Sequence, residues 1–531
     1  MSTALFSSRG TTGKERGGES FTLGREPITT IKARCRRASC IFTAALVTAS
    51  LLGGLQPAAP AWAASTSTSV ATRDHLEPGL QGQTLPQDDP GSILTRPYSK
   101  GVQVIGHDVI KGRDSNVQLS WVDHCAYVSS TGGPFPLLGT TKGDTTLTGV
   151  AVLDVSNPRR PTTVKLLRDN GSIAALEAMH AISAPGRKVL AAGAYGNGAG
   201  GAMPNDKPAW LDIYDVSDCL KPKLMSEVIW PENAHTVRVA PNGRRVYGTN
   251  LSPFTGGGGI QVMDISDMAH PRFVGKLEAV RADGTTFEFA PHEISFSADE
   301  RRIYAGVIAS KNGDLNQGLK LLPPNREELG PEGGGIYIFD NSDVVDGRAN
   351  PKLRLISSIP HGGWHSVMLA NIGGVPYLVG GSELTMCPGT WPKLSDIADE
   401  TNPLIVGEFR LAMNHAENCP AMSSAEKASN GIVPTSGTAT LHFNDVDDEA
   451  QTRLGLFNFL WAGLRIVDIR NPKQPVEVAY FKPGDACGGH VRYVAKTGDI
   501  WLSCGQSGFY VLELSRAVRA GLGLPQMAGA R

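Results

Sequence analysis

Six segments of this chain repeat one pattern: hydrophobic residues, an acidic residue, one more residue, then usually Ser and a Pro-containing turn. They are Val150–Ser156, Leu211–Ser217, Ile260–Ser266, Ile336–Ser342, Leu464–Arg470 and Phe509–Ser515. A unit of this kind cannot bury its own faces, so its copies must stack to share a core. That requirement sets a repeat architecture before any single residue is weighed.

From Gly101 onward each unit reads as four short strands. The first often opens with His, and a turn such as Ala240–Gly243 or Ser297–Glu300 leads into the second. The acidic segment is the third strand, and after its turn a fourth closes the unit, as in Arg272–Gly275 or Val476–Tyr480. First strands fall near Asn116, His180, His235, His292, His365, His442 and His490, with Leu394–Asp396 as a degenerate third strand in the fifth unit. The last unit stops after Phe509–Leu514, and Val102–Ile105 has the alternation of the strand it lacks. The expected fold is all-β: a seven-bladed β-propeller of four-stranded antiparallel blades over residues 101–516, closed by the N-terminal strand completing the last blade. Closure removes the sheet edges that would recruit other chains, so a monomer is expected.

The acidic segments resemble the LVIVD repeat family of secreted and surface bacterial propellers. The resemblance implies the fold and little about activity. The recurrent Asp154, Asp215, Asp264, Asp340 and Asp468 invite a catalytic reading by their regularity. An Asp ahead of a Ser or Asn-Pro turn is better explained as an Asx-type cap on the turn backbone.

The 531 residues carry a formal net charge of −1, with no basic stripe to serve as a nucleic-acid footprint. Arg34, Arg36 and Arg37 precede an apolar run, Ile41–Leu55, and Ala61-Trp62-Ala63 offers small residues for cleavage. Residues 1–63 read as an export signal, since the run falls short of the roughly 20 residues that span a membrane. Residues 64–100, rich in Ser, Thr, Pro and Gln, read as a flexible linker, and 517–531 as a C-terminal tail. The expected product is exported, secreted or associated with the cell envelope, and has no transmembrane segment once mature. Six cysteines follow the leader, and an even number in an exported chain permits disulfides. Cys387 with Cys419 is the preferred pair and Cys487 with Cys504 the second.

Chemistry is suggested by histidine. The chain has 12, yet His180, His235, His292, His365 and His490 all open a predicted first strand, and His442 makes a sixth. First strands line the central channel of a propeller, so these imidazoles are expected at one height around one axis. That layout suits a transition metal ion (Cu, Fe, Mn or Zn) with a position left for a small molecule in the channel. Glu177, Glu232 and Glu293 lie within three residues of His180, His235 and His292 and could orient the imidazoles or act as bases. His361 and His415 could play a similar supporting part, and Trp364 could shape the mouth or pack between blades. The plan is similar to that of carotenoid-cleavage oxygenases and of methanethiol oxidases of the selenium-binding type. That similarity of layout implies a metal-dependent oxidoreductase acting on a small organic or sulfur substrate. Two other readings stand beside it. The histidines could form a structural hydrogen-bond network, or the propeller could bind an extracellular protein or glycan without catalysis, through insertions such as Ala309–Glu332 and Met413–Thr435.

Overall fold

A computed structural model describes residues 97–113, 116–130, 147–194, 209–232, 234–251, 259–310, 334–360, 364–382, 391–411, 441–460, 462–484 and 487–524. The predicted leader, most of the predicted linker, Cys387 and Cys419 lie outside them, as do His361, His415 and nearly all of both insertions.

Two strands come first, β1 (Tyr98–Lys100) and β2 (Val102–Asp108). Four-stranded antiparallel meanders follow. The first comprises β3 (Asn116–Val122), β4 (Cys125–Ser130), β5 (Val150–Asp154) and β6 (Thr162–Leu167). The second comprises β7 (Met179–Ala184), β8 (Arg187–Gly193), β9 (Trp210–Asp215) and β10 (Lys223–Ile229). Next come β11 (Val237–Val239), β12 (Arg245–Asn250), β13 (Gly259–Asp264) and β14 (Arg272–Val280), then the short β15 (Thr286–Phe287). The chain continues through β16 (Phe289–Phe296), β17 (Arg302–Ser310), β18 (Gly335–Asp340) and β19 (Lys352–Pro360). The degenerate unit is present as β20 (Trp364–Ile372), β21 (Val375–Ser382), β22 (Lys393–Asp396) and β23 (Leu404–Glu408). After it lie β24 (Leu441–Val446), β25 (Leu454–Phe459), β26 (Gly463–Asp468) and β27 (Val476–Lys482), then β28 (Val491–Val494), β29 (Asp499–Cys504) and β30 (Gly508–Leu514).

The protein is an all-β propeller of four-stranded antiparallel blades. Its hydrogen-bonded sheets number six among the described residues, where separate blades would give seven. The reason is local: β14 and β19 each run nine residues, long enough for Glu278–Val280 to pair in parallel with Lys352–Arg354 and join two meanders into one nine-stranded sheet. First strands β3, β7, β11, β16, β20, β24 and β28 lie at sheet edges, and β3 packs on β7, β16 on β20, β20 on β24 and β24 on β28. The His490 amide donates to Val117 O, which carries the circle from β28 back to β3.

Closure is as expected: Val102 pairs with Leu514 and Val104 with Leu512. The predicted linker is shorter at its end, because Tyr98–Lys100 forms β1 and pairs with β27. Tyr98 is held there by burial and by the Arg465 guanidinium, which donates to its hydroxyl at 3.1 Å. The predicted tail begins with a helix, α1 (Arg516–Gly521), capped at its N-terminus by the Ser515 side chain.

The repeated acidic residue does what an Asx cap does. Oδ1 of Asp154, Asp215, Asp264 and Asp340 accepts from the amide two residues on at 2.8–2.9 Å, and Asp468 does so from Arg470 at 3.1 Å. Asp396 in the degenerate unit follows suit with Ala398. A second regularity lies on the fourth strands. Each carries one extra residue that the ladder skips: Ile105, Val164, Met225, Val274, Ile356, Val406 and Val478. Such bulges bend and twist a strand, and here several receive the turn of the next meander. Ser226 Oγ donates to Met268 O at 2.7 Å and Ser357 Oγ donates to Glu400 O at 2.5 Å. A Cβ on Gly106 would stand 2.0 Å from Pro158 O, and one on Gly407 would stand 1.7 Å from Pro472 O, so only glycine admits the turn there.

Among the described residues two disulfides are present. Cys487–Cys504 is the second predicted pair. Cys125–Cys219, a pair the sequence did not single out, ties β4 to the turn after β9. No helix among the described residues is long and apolar enough to cross a membrane.

Candidate metal centre

Four of the six predicted histidines converge, and what they converge on is Glu177. His235 Nε2 lies 3.2 Å from Glu177 Oε2, His292 Nε2 lies 3.5 Å and His365 Nε2 lies 3.9 Å from the same oxygen; His442 Nε2 lies 3.3 Å from Oε1. His235 Nε2 and His292 Nε2 are 2.6 Å apart. Ring centroids of His292 and His365 are 3.8 Å apart, those of His365 and His442 4.5 Å. All five side chains are at most 5% exposed.

The backbone explains which histidines meet. In β16, β20 and β24 the ladder to the second strand slips at the histidine itself. Pairing jumps from Pro291 to Ile294, from Trp364 to Ser366 and from Leu441 to Phe443, leaving His292, His365 and His442 out of register. A bulge re-aims the skipped side chain, and here three are turned inward. His235 precedes β11, with its amide donating to Thr249 O. His180 instead stays in register opposite Ala191 and accepts from the Val239 amide on Nδ1 at 3.1 Å. His490 donates from Nδ1 to Leu119 O at 2.7 Å and packs edge-on to Phe443. Among the described residues neither joins a cluster tight enough to share an ion.

Glu177 was expected to support the imidazoles rather than stand among them. It precedes β7, and its carboxylate, rather than His180 of that strand, meets the other imidazoles. Glu232 is placed elsewhere: Asn250 and Lys276 bind its carboxylate at 2.9 and 3.0 Å. Glu293 is buried and paired with Arg238. Trp364 is fully buried, donates Nε1–H to Ser366 O and packs with Ile338 and Leu378 between blades, so it does not form a mouth.

The electrostatics are those of a ligand set. Burial would raise the Glu177 carboxyl, but hydrogen bonds from His235 and His442 outweigh it and hold the group well below the ordinary carboxylate range. Burial, with repulsion from neighbouring imidazoles, holds His292 and His365 well below the usual histidine value, so both are neutral at pH 7. His442 sharpens the point. Its Nδ1 contacts Gly488 O, which can only accept, so Nδ1 carries a proton and Nε2 faces the Glu177 carboxylate, where a protonated ring would donate to it and a neutral ring would offer a lone pair to an ion. Donors around an ion at about 2.1 Å stand roughly 3 Å apart, and the observed separations of 2.6–3.9 Å bracket that spacing. The buried Glu/His cluster could therefore hold a metal ion. A third grouping, His124 with Cys125 and Cys219, offers no thiolate because those cysteines are bonded to each other.

Comparison with known proteins adds one repeat match and several structural likenesses. The LVIVD repeat model matches residues 459–482. Among solved structures the chain is similar to the β-propeller domain of Cps50 (Swd1) from Myceliophteria thermophila, at 11% identity and a TM-score of 0.47, covering 76% of this chain and 97% of that one. It is also similar to the periplasmic gluconolactonase PpgL of Pseudomonas aeruginosa (11% identity, TM-score 0.45, 68% and 86% covered). Hydrazine synthase of Kuenenia stuttgartiensis gives 10% identity, a TM-score of 0.45, and 75% and 95% covered. No curated protein matches the sequence. These likenesses concern the path of the chain and convey nothing of its chemistry. The chain is a β-propeller that carries an LVIVD repeat at residues 459–482.

Proposed function

We propose that this protein is a metal-dependent oxidoreductase, exported from the cell, whose ion is held by Glu177, His235, His292, His365 and His442. The nine-stranded sheet is read as two blades zipped at one edge, which makes the propeller seven-bladed. The observation that carries the reading is the Glu177 carboxylate met by four imidazole nitrogens, three from first strands and one from the residue leading into β11. Imidazole-rich sites with a carboxylate suit Fe, Cu, Mn or Zn, and more than four donors exceeds what a tetrahedral structural zinc uses. A bound redox ion would supply electron transfer or Lewis acidity to a small substrate on the axis. The chain's own part is to exclude water, keep His292 and His365 unprotonated, and fix the His442 tautomer through Gly488.

Elemental analysis of protein purified from its native host tests this. A stoichiometric transition metal, lost from E177Q with the fold retained, is expected. Protein that carries none, and gains none at neutral pH, would overturn the reading and leave a structural imidazole network.

A further inference from the structure

A cavity of about 900 Å³ opens on the same axis. First strands contribute Trp121, Ile182, Arg238, Ile294, Met368 and Arg492 to its wall. It lies along the strands from the Glu177 cluster: Ile294 follows His292 by two residues and Met368 follows His365 by three, an offset of about 7–10 Å at strand rise.

Its charges do not cancel. The Arg492 guanidinium is stacked between two indoles, with Cζ 4.4 Å from the Trp121 ring centroid and 4.7 Å from that of Trp501. Among the described residues it has no ion-pair or hydrogen-bond partner, and its Nη1 is buried. Stacking fixes the plane of the guanidinium and leaves its N–H edge for an acceptor. Arg238 is tied through one nitrogen to Glu293. The nearby acids do not answer Arg492. Asp445 is pushed up to about 8 by burial, so it is mainly protonated at pH 7. Asp123 is engaged by Lys188 at 2.5 Å, and Glu449, exposed at the rim, interacts with Arg238 rather than Arg492. A half-buried cation without a counter-ion, in a cavity walled by Trp, Ile and Met, is built to be neutralised by an incoming anion with an apolar body.

We propose that this cavity binds a small organic carboxylate, its charge on Arg492 with Arg238 beside it and its apolar part against Trp121, Ile294 and Met368. That such an anion is the substrate of the metal centre rests on the reading above; that the cavity takes an anion does not.

Trp121 makes the test direct. Benzoate, phenylacetate and hexanoate would be titrated against full-length protein, as purified and after metal removal, following tryptophan fluorescence, with benzamide, phenylacetamide, hexanamide and benzylamine alongside. Saturable binding of at least one carboxylate, tenfold or more tighter than its amide and weakened by salt, is expected in both preparations. R492Q should weaken it tenfold or more, and R492K, which keeps charge without the planar stack, by less. Carboxylates no tighter than their amides, benzylamine tighter than any carboxylate, or a folded R492Q that binds like the native chain would each overturn the proposal. Should R492Q fail to fold, the ligand series on the native protein still decides. Carboxylate binding in a protein that takes up no metal would sink the metal reading and keep this one; metal without carboxylate selectivity would do the reverse.

Discussion

Glu177 Oε1 stands 3.3 Å from His442 Nε2, although the two residues lie 265 positions apart, one just before β7 and the other in β24. Glu177 leads into β7 and His442 is the out-of-register residue of β24, so their meeting depends on a closed ring. The E177Q substitution should therefore act on metal more than on fold. Affinity for added Zn(II) or Mn(II) is expected to fall at least tenfold, in line with changes of 10–100-fold on altering metal-site partners. Calorimetric titration measures it, with thermal melting as the control. H292A should lose binding outright.

In the metal-free protein the pH dependence has a definite sign. His490 is lowered to about 3, chiefly by burial, and His180, His292 and His365 are also lowered. Below pH 6.5 the unfolded chain therefore binds protons that the folded one refuses. Stability falls with falling pH at up to about 1.4 kcal/mol per unit for each such group. Asp445, raised to about 8, runs the other way, because its contribution is lost as pH rises toward 8. Urea unfolding at pH 5, 6 and 7 should show a shallower acid loss in H490Q and a steeper one in D445N. Parallel curves for all three proteins would contradict this.

The recurrent aspartates should prove dispensable for chemistry. D264A removes the acceptor for the Ser266 amide and a contact with Arg272 at 2.9 Å. A loss of about 0.5–2 kcal/mol is expected, as for other side-chain caps, with metal content unchanged.

Breaking Cys125–Cys219 releases a closure across 94 residues. The C125A/C219A double variant should lose about 2–4 kcal/mol, read by denaturant unfolding under non-reducing conditions. Reduction of the native chain should lower stability in the same direction.

G106V tests the packing of turns into bulges. The added methyls meet the Pro158 carbonyl, so the β2–β30 seam must open or the turn must move. Destabilisation of about 1–3 kcal/mol is expected, with protease cleavage gained before Asn116. A variant as stable and as resistant as the native chain would refute this account of the seam.

The repeat, the turn role of its aspartates, the degenerate fifth unit and the closing strand were all legible because each is a local pattern. Six copies of one segment define a period, and an unpaired last unit calls for a donor. The histidines were legible as a set but not as a subset. Strand position alone cannot separate His180, in register, from His365, skipped by the ladder; the difference is one residue of bulge. Glu177 was seen yet underrated, since nothing in Glu177-Ala178-Met179-His180 says that the carboxylate rather than the imidazole will face the axis. The fourth-strand bulges carried a faint signal in the small residues Gly106, Ser226, Gly275, Ser357, Gly407 and Ala479. The Cys125–Cys219 bond carried none, because it joins neighbouring blades through a turn whose placement only the assembled ring defines.

The seam between β2 and β30 joins residues some 410 positions apart, and β1 is pledged to a third partner, β27. Among the propeller strands, the first two made must thus wait for ones made much later. Until then the growing chain has two raw borders, and contacts this remote are slow to form. Ring closure should await synthesis of β30, with any helper that shields β-edges acting until then.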